Sequence, residues 1–461
     1  MLFGKFSRFY CFVIIYIVLR AERMNFMWTQ NAVFYQIYPL GFCGCPKEND
    51  NVTANRIRRV ADWIDHLKKI GINAIYFSPV FEADSHGYDT RDYYKIDCRL
   101  GTNEDFADIC RILHKNGIRI VLDGVFHHVG RGFWAFQDVL KRREQSPYAD
   151  WFYIDWNKNS GYHDGFWYEG WEGHYELVKL NLSNNKVIEH LFQAIRSWAE
   201  QFEIDGLRLD VAYCLDREFL KKLRQFCEGL KPEFLLLGEI LFGDYRQLVN
   251  NEMLHSCTNY ECYKGLYSSF NDQNLFEISY SLNRQFGPDP QAIYQGLSLF
   301  SFADNHDVSR LSSIIKEERH IPLLYGLLFL MPGIPCIYYG SEWGAKGDKK
   351  NGDDVLRPCF DKPLYNELTE WIQKLCGLRS RFQAIRLGGY KNIRINNRQL
   401  IFEREYQNER LLVAINSDAA ACYVPLDMEQ ITAEDVIGEG QISIHRGLEL
   451  SPYSFQCYLL K

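Results

Sequence analysis

The chain has 461 residues, 47% hydrophobic and 24% charged, an ordinary globular composition that excludes disordered and collagen-like classes. With 52 Lys and Arg against 59 Asp and Glu the formal charge is −7, and no Lys/Arg-rich run occurs, so no nucleic-acid or anionic-membrane partner is expected. The length exceeds one ordinary domain and suits a large catalytic domain with one or two small ones.

Residues 1–24 form an apolar N-terminal extension. Phe9 to Leu19 is an apolar run flanked by Lys5, Arg8 and Arg20. It is short for a membrane span, and Ala21 is followed by Glu22 and Arg23 rather than a small-x-small cleavage site. The first expectation is a spurious extension ahead of a natural start at Met24, with a cytoplasmic protein. The second is a weak signal or anchor, with a secreted or membrane-anchored one.

From Ala32 onward, short apolar runs alternate with helical patterns, the order of parallel strands joined by helices. Strands are predicted at Ala32–Tyr38, Ala74–Pro79, Arg119–Val125, Gly206–Val211, Leu235–Ile240, Cys257–Tyr260, Leu299–Asn305 and Ile334–Tyr339. Eight such runs fit an α/β fold of the closed (β/α)8 TIM-barrel type over residues 25–385 better than an open sheet. Helices are predicted at Arg56–Ile70, where Ile57, Val60, Ile64 and Leu67 form one stripe ending at Gly71, and at Glu104–Asn116, Lys186–Phe202, Arg217–Leu230 and Ile321–Met331. One interval breaks the rhythm. Residues 129–181 are rich in Trp, Tyr, Gly and Asp and read as a subdomain inserted after strand 3, where a barrel builds part of its pocket. After Leu387–Gly388–Gly389, short strands separated by turn residues predict a C-terminal antiparallel β-domain over 386–461. The 14 cysteines include no zinc-like CxxC pair and read as buried free thiols.

The polar residues cluster at strand ends. The fourth strand ends in Asp210, with Arg208 two positions earlier on the same face, a cation that would keep Asp210 ionised. The fifth is apolar until Glu239, whose desolvation would raise its pKa as a general acid requires. The seventh ends in His306 and Asp307; the third carries Asp123 and then His127 and His128. Singly, each has a bland reading: a structural ion pair, a solvated rim carboxylate, a satisfied core histidine. Four clusters at the ends of apolar strands, in barrel order, argue against coincidence.

These segments resemble the conserved regions of the α-amylase family of glycoside hydrolases. Asp123–His128 (DGVFHH) is similar to the first region, Gly206–Asp210 (GLRLD) to the second, Gly238–Ile240 (GEI) to the third and Phe302–Asp307 (FADNHD) to the fourth. Leu177–Asn181 (LVKLN) resembles the additional region of neopullulanases and cyclomaltodextrinases. The resemblance implies a retaining glycosidase acting on α-1,4 bonds, with some α-1,6 action, in maltodextrins, maltooligosaccharides or cyclodextrins. It casts Asp210 as nucleophile, Glu239 as acid/base and Asp307 as the ligand of the reacting sugar's 2- and 3-hydroxyls. Arg208 would orient Asp210, His128 and His306 would bind sugar hydroxyls, and Tyr88 would stack beneath the ring. Arg357 reads equally as a donor-side residue or a solvated loop cation, Asp89 as a turn residue, and Lys179 as acceptor-side or structural.

Departures from the family pattern carry expectations too. His127 stands where the family usually has Asn, in many members a calcium ligand; an imidazole suits calcium poorly, so no metal or cofactor is expected. Tyr213 and Cys214, and Leu241 and Phe242, replace the family's usual acceptor-side pairs. The barrel pattern starts almost at once, so the N-terminal β-domain of cyclomaltodextrinases, and dimerisation through it, are not expected. The rival readings are an α-glucan glucosyltransferase or trehalose-forming isomerase of the same family, and a non-catalytic, membrane-anchored member.

Overall fold

A computed structural model describes residues 28–427 and 430–461. The apolar run Phe9–Leu19 and the start at Met24 lie outside them. Among the described residues no helix is long and apolar enough to cross a membrane.

Eight strands form a parallel barrel: β1 (Phe34–Ile37), β2 (Ala74–Phe77), β3 (Arg119–Gly124), β4 (Gly206–Leu209), β5 (Leu235–Gly238), β6 (Ser256–Cys257), β7 (Phe300–Phe302) and β8 (Ile334–Tyr338). They follow in the order β6-β5-β4-β3-β2-β1-β8-β7, and a parallel bridge between Thr258 and Phe300 joins the two ends. Seven lie within the runs predicted from sequence, and the sixth overlaps its run only at Cys257. The sixth is shorter than expected, because Asn259 accepts a hydrogen bond from the Cys262 N–H and starts a helix at Tyr260–Asn271.

The two-residue period of a strand sorts its side chains. Phe34, Val121, Leu235, Leu237, Phe300 and Phe302 belong to the apolar cluster inside the barrel, while Tyr35, Leu122, Leu207, Leu209 and Leu236 pack outward under the helices. Continued past the apolar residues, the same alternation turns Asp123, Arg208, Asp210 and Glu239 toward the axis at the C-terminal mouth.

The helices Asn103–Lys115, Asn185–Phe202 and Arg217–Leu230 begin at Thr102, Asn184 and Asp216, whose side chains accept from backbone N–H groups of the first turn. Arg56–Ile70 is not one α-helix: Ile57–Trp63 is 3-10, with no side-chain cap, and the α-helix runs Ile64–Ile70. Gly71 ends it at φ 91°, where a Cβ would meet Cys376 at 2.7 Å.

Beyond β3, an antiparallel sheet of His128–Gly130, His174–Lys179 and Gly170–Trp171 stands over the barrel mouth beside the helix Trp134–Arg142. A bidentate Arg131–Asp164 pair (2.9 and 2.8 Å) and packed rings of Phe136, Phe152 and Tyr168 order the segment. At the other end of the chain, a six-stranded antiparallel sheet is built on Gln399–Tyr406, Glu409–Asn416 and Ser454–Leu460. The helix His320–Leu330, buried except at Pro322, lies between barrel and sheet, and its Gly326 packs so tightly that a Cβ would meet Phe455 at 2.5 Å.

Candidate active site

Arg208 organises the barrel mouth. Its Nη1 donates to Asp123 (3.0 and 3.1 Å) and to Asp210 Oδ1 (2.8 Å), and its Nη2 pairs with Glu239 Oε1 (2.8 Å). One planar fork therefore holds carboxylates from three adjacent strands. The chain leaves β4 through Val211, a β-branched residue at φ 39°, ψ 46°, a strained left-handed conformation. That turn aims the Val211 N–H at Glu239 Oε2 (2.9 Å). Asp123 does not line the cavity that Asp210 and Glu239 face; it anchors Arg208, Tyr76 (2.7 Å) and Tyr88 (3.2 Å).

Asp210 and Glu239 line a cavity of about 640 Å3 together with Tyr88, His128, Asp307 and Arg357. His306 stands behind, stacked on Tyr88 with ring centroids 5.6 Å apart and planes 11° off parallel. Gln36 Nε2, a donor, meets His306 Nδ1 at 2.7 Å, which leaves Nε2–H to face Asp307 Oδ2 at 2.9 Å. Arg357 is no solvated loop cation: its side chain is 11% exposed and bonds Asp307 Oδ1 and Asp353 Oδ2, both at 3.1 Å. Asp89 accepts from Ser85 (2.7 Å) and Gly87 (3.1 Å) and shapes the turn that presents Tyr88. Lys179 pairs with Glu169 at 2.6 Å.

The electrostatics divide the acids. Burial pushes both Asp210 and Glu239 above the carboxylate range, against the pull of Arg208. Sequence reasoning assigned that rise to Glu239 alone and expected Arg208 to keep Asp210 ionised; both carboxyls are buried, and desolvation raises Asp210 as well, despite Arg208. Asp307 goes the other way. Desolvation opposes ionisation, but His306 and then Arg357 hold it below the usual range. Its negative charge in turn raises Glu239. Burial, then the neighbouring His127, keeps His128 neutral, and its Nε2 has no hydrogen-bond partner although it lies 3.8 Å from Asp210 Oδ2.

Several lining residues carried no signal of their own in the sequence. Tyr260 opens the helix after β6 and its hydroxyl accepts from Asn305 Nδ2 at 3.2 Å. Trp171, His174 and Glu176 come from the inserted sheet, and His86 and Asp353 from loops. On the outer rim Tyr213 and Leu241 line the cavity, and the exposed Phe242 ring lies 5.4 Å from that of Tyr213.

Residues 36–370 match the family model described as alpha amylase, catalytic domain, and residues 391–456 that of the maltogenic amylase C-terminal domain. The chain belongs to the α-amylase family. It is 31% identical over 422 residues to a cyclomaltodextrinase of a Bacillus species, spanning 85% of this chain and 74% of that one. It is 30% identical over 428 residues to an intracellular maltogenic amylase of Bacillus subtilis, spanning 87% and 70%. The structure of the cyclic alpha-maltosyl-(1→6)-maltose hydrolase of Arthrobacter globiformis, in complex with that sugar, matches with a TM-score of 0.80 at 27% identity, covering 94% of this chain and 99% of that one. As an α-amylase-family enzyme it is a glycoside hydrolase, and its (β/α)8 barrel is the family's fold.

The family resemblance raises a calcium position at His127. The His127 ring is buried, and desolvation and then Lys179 lower its pKa to about 4. Its Nδ1 faces His128 Nδ1 at 3.3 Å, and its carbonyl oxygen accepts from the Leu180 N–H. Among the described residues Glu82, Asp97 and Cys98 are grouped closely enough to hold an ion, but Arg99 takes Asp97 at 2.8 and 2.7 Å, and Glu82 accepts from Cys98 N–H and Asn49.

Proposed function

We propose that the protein is a retaining glycoside hydrolase that cleaves α-1,4-glucosidic bonds, and some α-1,6 bonds, in maltodextrins, maltooligosaccharides and cyclodextrins. One observation carries this reading: the Asp210 and Glu239 carboxyls bind neighbouring nitrogens of the single Arg208 guanidinium, each at 2.8 Å, in the wall of one cavity. That fork suits the roughly 5–5.5 Å separation of a retaining pair rather than the wider gap that admits a water for inversion.

The reaction follows from the site. Asp210 attacks the anomeric carbon while the glycosidic C–O bond breaks and Glu239 gives its proton to the leaving oxygen. The ionised Asp307 raises Glu239 and so favours its role as proton donor, and Arg208 steadies the carboxylate on Asp210. Water then loses a proton to Glu239 and displaces Asp210 from the glycosyl ester. Asp307, held by the Nε2–H of His306, takes the 2- and 3-hydroxyls, the free Nε2 of His128 binds a hydroxyl of the same sugar, Arg357 closes the donor side, and Tyr88 supplies the stacking face. The imidazole of His127, where the family usually has Asn, argues against a calcium ion at that position.

The cyclomaltodextrinase and maltogenic amylase relatives support the cyclic and short α-glucan substrates, and the (1→6)-maltose hydrolase supports the second linkage. The intracellular relative supports a cytoplasmic enzyme. A product time course on maltotetraose, β-cyclodextrin and pullulan, read by NMR, tests the proposal. Shorter sugars released first as the α-anomer are expected. First release of the β-anomer would refute retention; trehalose or lengthened chains as main product would refute hydrolysis as the main reaction.

A further inference from the structure

Gln36 and Ser78 lie behind the catalytic cavity rather than in its wall. Gln36 is the inward residue of β1 two positions after Phe34, Ser78 follows β2, and both are buried. Gln36 Nε2 donates twice, to His306 Nδ1 at 2.7 Å and to Ser78 Oγ at 3.2 Å. The Ser78 hydroxyl in turn bonds the Tyr76 hydroxyl. Tyr76 donates to Asp123 Oδ2 at 2.7 Å, and Tyr88 donates to the same oxygen at 3.2 Å. The Tyr88 oxygen also meets His306 Nε2, which closes a ring of six side chains: Asp123, Tyr76, Ser78, Gln36, His306 and Tyr88.

Counting protons fixes the direction of every bond in that ring. Asp123 accepts from Arg208, Tyr76 and Tyr88, so both phenol protons are spent on it. The Tyr76 oxygen is left to accept from Ser78, and the Ser78 oxygen to accept from Gln36. Only the amide nitrogen can supply that proton. The second hydrogen of the same nitrogen meets His306 Nδ1, which is therefore the bare ring nitrogen. From the other side, the Tyr88 oxygen has given its proton to Asp123 and can only accept, as can Asp307 Oδ2 at 2.9 Å, so His306 Nε2 carries the hydrogen. Both halves of the ring demand the same tautomer. A turned amide would set Oε1 against Nδ1 and leave Nε2 bare before two acceptors. The imidazole is also clamped between the Tyr38 ring (centroids 6.0 Å, 18° off parallel) and the Tyr88 ring, and Arg357 Nε donates to the His306 carbonyl at 3.2 Å.

We infer that Gln36 is a positioning residue: its two N–H donors lock His306 in the Nε2–H tautomer and so keep the Asp307 carboxylate aimed at the 2- and 3-hydroxyls of the sugar. The direction originates at Asp123, so the acid that anchors Arg208 beside the nucleophile also sets the proton on the histidine that holds Asp307. The expected effect on rate rests on the glycosidase reading; the tautomer is a property of the free protein.

Nitrogen NMR of the full chain carrying isotope-labelled histidine, without substrate and near neutral pH, reads the tautomer directly. The chain has 12 histidines, and the His306 signals are those lost in His306→Asn. Wild type should show a pyrrole-type Nε2 and a pyridine-type Nδ1. In Gln36→Glu, whose carboxylate can only accept, Nδ1 should become pyrrole-type as well. Gln36→Met keeps most of the volume without the donor. Its Nδ1 signal should move toward that of a free pyridine-type nitrogen, and kcat on maltotriose should fall about two- to tenfold with less change in KM, because the bonds from Asp307 tighten in the transition state. An Nδ1–H tautomer in wild type, or His306 nitrogens unchanged in both Gln36 variants, would overturn the inference, and in a protein that hydrolyses maltotriose it would leave the enzyme reading standing. A wild type with the expected tautomer that hydrolyses no glucan would overturn the enzyme reading alone.

Discussion

Replacing Arg208 by Ala tests whether one guanidinium positions both reacting carboxyls. Its bonds to Asp210 and Glu239, each 2.8 Å, are the two that bear on chemistry; those to Asp123 at 3.0 and 3.1 Å anchor the fork. A hydrogen bond to a charged group contributes about 1.5–3 kcal/mol. Loss of two removes about 3–6 kcal/mol of positioning, and at roughly 1.4 kcal/mol per decade kcat/KM should fall about 10²- to 10⁴-fold. The fold suffers too: three carboxyls remain buried without their cation, a change that destabilises by about 3–5 kcal/mol near neutral pH. Because the carboxyls then bind protons more readily folded than unfolded, that deficit should shrink as pH falls. Arg208→Lys keeps the charge but cannot span both carboxyls, so it should recover stability more than rate. Initial rates on maltotriose, with thermal melts at several pH values, measure both. A rate for Arg208→Ala within tenfold of wild type, in folded protein, would refute the reasoning.

Glu239→Gln should lower kcat by orders of magnitude yet raise Tm, since it removes a buried carboxyl whose folded pKa is raised. Such a group binds its proton more tightly folded than unfolded, so its destabilising effect grows as pH rises above the unfolded carboxylate range; the gain in Tm should grow likewise, and differential scanning calorimetry checks it. Asp307→Asn removes the charge that raises Glu239, so the alkaline limb of the residual pH–rate profile should move toward lower pH. Excess EDTA should leave rate and Tm unchanged; a loss restored by calcium would contradict the reading of His127.

Much of the site was legible because strand periodicity is local. Leu235 and Leu237 turn inward, so Glu239 two positions on must face the same axis, and Arg208 and Asp210 follow the same rule. Arg357 could not be weighed from sequence: only the folded loop after β8 places its Nη2 3.1 Å from Asp307. Tyr260 carried no signal, because its place depends on Asn259 ending the sixth strand early and capping the next helix. Trp171 and His174 were visible only as aromatic richness, since the pairing of Gly170–Trp171 with His174–Lys179 brings them to the cavity.

Sequence by itself determined the eight-strand order, the inward parity of the acids and the family resemblance, since each depends on residue type and spacing along the chain. Tertiary structure alone decided which way each acid is shifted. A carboxyl's pKa follows the burial and charges around it, and those come from residues as distant as Asp123, His306 and Arg357.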